Sequence, residues 1–115
     1  MRPRPVLRAL PATLWATAVL VLLLAPPTGE APAWLAFPHA DKLVHAALFG
    51  VLAALVLRAL RTHRAKAVAW GVTVLYGALT ELLQHLLPVN RTGDPLDLLA
   101  EAAGAALALI AARGR

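Results

Sequence analysis

The sequence predicts an all-α membrane protein: four transmembrane helices in an up-and-down bundle, with both termini in the cytoplasm. Three observations carry this expectation. First, 60% of the 115 residues are hydrophobic and 15% are charged, against about 45–50% and 25% in ordinary soluble domains. A soluble domain this small has too little interior to hide so much apolar surface. Second, the chain holds four apolar stretches, each near the roughly 20 residues that a helix needs to cross hydrocarbon. Third, the basic residues segregate to one side of the bundle that these stretches define.

The first stretch runs from Val6 to Ala25 and ends at Pro26-Pro27. Its Arg-rich start and Ala31-Pro32-Ala33 also fit a cleavable signal peptide. The apolar core is long for a signal, and prolines crowd the cleavage site, so a retained helix is expected. Pro11 marks its first turns or a mild kink. The second stretch runs from Leu43 to Leu60, the third from Ala67 to Leu87, and the fourth from Leu96 to Ala112. All are rich in Ala and Leu, which are good helix formers. β-Branched residues are few and no strand-like alternation appears, so a membrane barrel is not expected.

Orientation follows from the cations. Arg2, Arg4 and Arg8 precede the first helix, Arg58, Arg61, Arg64 and Lys66 join the second to the third, and Arg113 and Arg115 follow the fourth. These nine of eleven basic residues share one side; only Lys42 and Arg91 fall on the other. The positive-inside rule puts the nine in the cytoplasm. Trp70 then lies near the inner interface, and Trp34 and Phe37 near the outer one. The formal charge of +5 and the pI near 11.2 therefore set topology, and no nucleic-acid partner is expected. The chain has no cysteine, which rules out disulfides, thiolate-bound zinc and thiol catalysis.

The six acids, Glu30, Asp41, Glu81, Asp94, Asp97 and Glu101, all fall in outer loops or at outer helix ends. Asp41, Lys42 and His45 open the second helix. Glu81, Gln84 and His85 close the third. Arg91 and Asp94 lie in the short outer turn, and Asp97 and Glu101 open the fourth. Three helices thus bring polar groups to one level, just inside the outer face. Steps of three and four place Gly77, Glu81 and Gln84 on one helical face, and Asp97, Glu101, Gly104 and Ala108 on another. The mix of acids and small residues on the fourth helix should face another helix closely, not lipid. Glu81, about two turns inside its helix, needs a partner, a proton or water.

These residues resemble the VanZ-like family, small bacterial membrane proteins named after an accessory glycopeptide-resistance protein. The similarity rests on Asp41-Lys42-x-x-His45-x-x-x-Phe49, on Tyr76-Gly77-x-x-x-Glu81-x-x-Gln84, and on Pro88-x-x-Arg91 followed by Asp94, Asp97 and Gly104. It covers about residues 40–107. The family usually has Asn where this chain has Glu101, which adds a potential negative charge beside Asp97 and Glu81. The resemblance implies one VanZ-like membrane domain over residues 1–115, in the bacterial cell membrane, with a link to teicoplanin resistance and no agreed reaction.

Four chemistries are compatible with the pattern. The expected one is recognition: an outer-face polar pocket of Asp41, Lys42, His45, Tyr76, Glu81, Gln84, Arg91, Asp94, Asp97 and Glu101 binds an envelope lipid, a precursor or a glycopeptide. The alternative is acid–base catalysis on a lipid or polyprenyl-phosphate. His45 would then be the acid or base, Asp41 would orient it, Asp41 and Glu81 are the other catalytic candidates, and Lys42 and Arg91 would hold a phosphate. Asp41 with His45 and Glu81 with His85 have the four-residue spacing of shared metal ligands, yet no metal and no cofactor is assigned. A purely structural network that satisfies buried helix ends is the fourth. A homo-oligomer formed through Gly104 and Ala108 is a further expectation.

Overall fold

A computed structural model describes residues 5–24, 40–60, 64–87 and 95–112. They form four helices: α1 (Pro5–Leu24), α2 (Ala40–Ala59), α3 (Ala65–Leu86) and α4 (Pro95–Ala111). Each expected stretch is a helix, and its ends lie within three residues of those expected. Pro11 sits inside α1 without ending it. Trp34, Phe37, Arg91 and Asp94 lie outside the described residues.

Contacts fix the helix directions. The start of α1 meets the end of α2 through Arg8 Nε, which donates to the Ala59 carbonyl at 3.4 Å. The end of α1 meets the end of α3 through Gln84 Nε2, which donates to the Leu23 carbonyl at 2.8 Å. The ends of α2 and α4 pack with the start of α3 in one core of Ala53, Leu57, Ala65, Ala69, Ala105 and Leu109. A second core joins Val19, Leu23, Phe49 and Leu52 of α1 and α2. The helices therefore alternate in direction, as expected for an up-and-down bundle.

The tightest seam lies between α2 and α4, and small residues set it. A Cβ on Gly50 would stand 3.1 Å from the Gly104 carbonyl oxygen. A Cβ on Gly104 would overlap the backbone of Ala46, with its Cα and carbonyl carbon at 2.7 Å. Only glycine permits that approach, which is the small-residue packing of membrane helices. The Gly104 stripe is thus occupied by α2 of the same chain, so a homo-oligomer built through this face would have to displace α2.

The bundle turns its apolar side chains outward. Leu14, Val21, Leu22, Leu75, Leu86, Leu99, Leu107 and Ile110 are each more than half exposed. Conversely, His45, Thr73, Thr80, Gln84, Asp97 and Glu101 are buried. Water would not tolerate such a surface on a monomer; hydrocarbon does. Three helices, α1, α2 and α3, are long and apolar enough to cross a membrane, and twenty residues of helix reach about 30 Å, the hydrocarbon thickness.

Several polar side chains in the spans find backbone acceptors, which offsets their desolvation in hydrocarbon, whereas the buried Thr73 hydroxyl makes no hydrogen bond. Thr13 and Thr17 donate to carbonyls four residues back, each at 2.9 Å. Trp15 Nε1 donates to the Leu48 carbonyl at 2.9 Å and Trp70 Nε1 to that of Ala102 at 3.1 Å. Tyr76 Oη donates to the Ala16 carbonyl at 2.5 Å.

Candidate functional site

The charged residues sort to opposite ends of the bundle. Among the described residues, Arg8, Arg58, Arg64 and Lys66 lie at the end formed by the start of α1, the end of α2 and the start of α3. Asp41, Lys42, Glu81, Asp97 and Glu101 lie at the other. Lys66 Nζ caps α4 there by donating to the Ala112 carbonyl at 3.1 Å, which suits a cation at a helix C-terminus.

At the acidic end, the first turns of α2 and α4 and the last turns of α3 converge. His45 is the hub. Its Nδ1 shares a 2.6 Å hydrogen bond with Glu101 Oε2, and with Glu101 ionised the imidazole is the donor. Its Nε2 lies 3.6 Å from Asp97 Oδ2. Asp97 Oδ1 is in turn 2.7 Å from Lys42 Nζ, and Lys42 also holds Asp41 Oδ2 at 2.7 Å. Glu101 is fully buried, and its Oε1 makes no hydrogen bond. Ligand atoms of His45, Glu81 and Glu101 all lie within 4.8 Å of one another.

Asp97 and Glu101 reach this hub together because four residues on α4 make about one turn. Gly77 makes room for Glu101: a Cβ there would stand 2.5 Å from Glu101 Oε1 and 3.3 Å from Leu98 Cδ1. Thr80, one turn on, is buried and bonds back to the Gly77 carbonyl at 2.8 Å. The carboxylate of Glu101 therefore fills the space that a side chain at position 77 would take.

A family model described as VanZ/LLP1 matches residues 7–114. The chain belongs to the VanZ/LLP1 family. That match extends the similarity read from residues 40–107 to all four helices. Comparison with curated proteins and with solved structures returns no match.

In this VanZ/LLP1 protein the expected residues divide into three groups. Lys42, His45, Glu81, Asp97 and Glu101 come together. Asp41 touches Lys42 from an exposed position and stands outside the histidine's shell. Tyr76 and Gln84 send their donors to α1, and the Tyr76 ring lies 6.2 Å from that of Phe49. His85 is exposed. Arg91 and Asp94 fall outside the described residues. The carboxylate that holds His45 is thus Glu101, not its four-residue neighbour Asp41. The signal for it lay in Asp97 and Glu101 sharing a face at the depth of His45. The role of Gly77 as the space for Glu101 had no signal in the sequence beyond its place in the motif.

Grooves lined by described residues open on the bundle surface. One, lined by Lys66, Trp70, Ala106, Leu109 and Ile110, opens at the basic end. Another runs between α1, α2 and α3 past Thr13, Thr17, Val56 and Tyr76.

Proposed function

We propose that this chain is a four-span protein of the bacterial cell membrane, with both termini cytoplasmic, whose acidic-end cluster binds the polar head of an envelope lipid or lipid-linked precursor. In this role it contributes to glycopeptide (teicoplanin) resistance. The basic end faces the cytoplasm by the positive-inside rule. The 17 residues of α4 reach about 25 Å. They accompany α2 from the level of His45 and Glu101 to that of Leu57 and Leu109, which supports α4 as a fourth span.

The observation that carries the binding reading is the hub: an imidazole, three carboxylates and an ammonium group drawn from three helices to one depth. Polar groups inside membranes are expensive and mark functional sites. Lys42, together with Arg91 from the stretch of sequence that joins α3 to α4, is proposed to supply the cations that a headgroup phosphate needs. Mass spectrometry of lipids co-purified with the wild-type chain and with Arg91→Ala tests this. A lipid class enriched with the wild type and lost in the variant supports it. Identical lipid complements count against it.

A second reading, acid–base chemistry on a lipid or polyprenyl-phosphate, draws on His45 lying between Glu101 and Asp97, since a carboxylate-oriented imidazole is the usual proton carrier. Turnover of a labelled lipid extract, stopped by His45→Ala, is its signature.

A further inference from the structure

We propose that His45, Glu81 and Glu101 bind a divalent transition-metal ion of the zinc type. The three come from α2, α3 and α4, and each offers a ligand atom within 4.8 Å of the other two. Donors on three helices meet in so small a space only through the packing of the bundle. The four-residue pairs Asp41/His45 and Glu81/His85 do not produce it, because Asp41 and His85 are exposed.

The donor chemistry selects the ion. One imidazole nitrogen and two carboxylates suit zinc and its first-row neighbours better than magnesium or calcium, which prefer all-oxygen shells. Charge points the same way. Among the described residues, this end of the bundle holds the carboxylates of Asp41, Glu81, Asp97 and Glu101 and the ammonium of Lys42. A divalent cation offsets that excess where it is most buried. Glu101 is 0% exposed, and its Oε1, against Gly77, makes no hydrogen bond.

The surroundings of the imidazole fit as well. Metal-bound histidines turn their second nitrogen toward a carboxylate that fixes the ring. With Nδ1 facing Glu101 at 2.6 Å, Nε2 faces Asp97 at 3.6 Å, and Lys42 anchors Asp97 at 2.7 Å. Ligand atoms about 2.0–2.1 Å from a tetrahedral ion lie roughly 3.3 Å apart. To admit the ion, Glu101 draws back from His45 by less than about 1 Å, and the wider pairs, up to 4.8 Å apart, close by at most about 1.5 Å. Three protein ligands leave a fourth position for water or another oxygen ligand, the arrangement of open zinc sites.

The site uses residues of the proposed headgroup cluster but does not require a lipid, and the test separates the two. The full chain, purified in lipid-free detergent without a histidine tag, is titrated with cobalt(II) as the spectroscopic probe for zinc, and its metal content after zinc loading is measured by mass spectrometry. With no cysteine in the chain, visible absorption reports nitrogen and oxygen ligation alone. One ion per chain is expected. Glu81→Gln and Glu101→Gln should each weaken binding at least about tenfold, and His85→Gln should leave it within about twofold. Circular dichroism of each variant guards against misfolding; if Glu101→Gln unfolds, Glu81→Gln decides. Absence of saturable one-to-one binding to a helical wild-type chain, or binding unchanged in a folded Glu81→Gln, overturns the proposal. Loss of lipid enrichment in Arg91→Ala has no bearing on this titration.

Discussion

Replacing Gly77 with alanine sets two opposing effects against each other. Alanine is worth about 0.8–1 kcal/mol over glycine inside a helix. The new methyl, however, would stand 2.5 Å from Glu101 Oε1. The carboxylate is the far end of a flexible side chain, so it moves and α3 does not. Its movement breaks the 2.6 Å bond to His45, and a hydrogen bond to a charged group contributes roughly 1.5–3 kcal/mol. The net expectation is a loss of about 0.5–2 kcal/mol. In a Glu101→Ala background nothing remains to displace, and Leu98 Cδ1, at 3.3 Å, has room to yield. There the same Gly77→Ala change should stabilise, by up to about 1 kcal/mol. The cycle therefore carries a coupling of roughly 1.5–3 kcal/mol between positions 77 and 101. Reversible unfolding in detergent by dodecyl sulfate titration, followed by circular dichroism, measures all four corners. Additivity within about 0.5 kcal/mol would refute the claim that Gly77 exists to seat Glu101.

Other consequences follow from the same contacts. Gly104→Ala drives a methyl into the Ala46 backbone, which cannot step aside, so it should cost about 3 kcal/mol or more, at or above the usual range for overpacking. Gly71→Ala meets nothing within 4 Å and should instead stabilise by up to about 1 kcal/mol; equal effects at the two sites would contradict the α2–α4 seam. Tyr76→Phe removes the bond to the Ala16 carbonyl and should cost about 1 kcal/mol in the same titration. Because the chain lacks cysteine, single cysteines report topology cleanly. Ala36→Cys should react with an impermeant maleimide on intact spheroplasts, and Thr62→Cys only after permeabilisation; the reverse pattern would invert the bundle.

Much of the fold was legible because membrane helices announce themselves by length and apolarity. The boundaries moved where polar residues extend a helix: α2 starts at Ala40, not Leu43, because Asp41 sits in its first turn, where the helix dipole favours an acid. The Gly104 and Ala108 stripe correctly foretold close packing on a helix, since only small residues permit it. The partners within the polar cluster were less legible. Sequence spacing gives depth along a helix; rotation about its axis decides which side chains meet. In α2, apolar residues cover most of the circumference, so apolar patterning does not set that rotation. The Gly50–Gly104 contact sets it, and it points His45 at Glu101 and leaves Asp41 at the surface. Glu101 thereby becomes the histidine's direct partner.

The central claim is that the His45 cluster binds something and does more than join helix ends. Lys42→Met tests it most directly, because it keeps the length of the side chain while removing the ammonium that a headgroup phosphate needs, and it leaves the three proposed metal ligands in place. The paired measurement is the amount of folded, helical protein recovered from membranes and the lipid retained per folded chain, compared with the wild type. The account predicts that folded protein is maintained while the enriched lipid is lost. A fall in folded protein, with lipid per folded chain unchanged, would contradict it and leave the cluster a structural network.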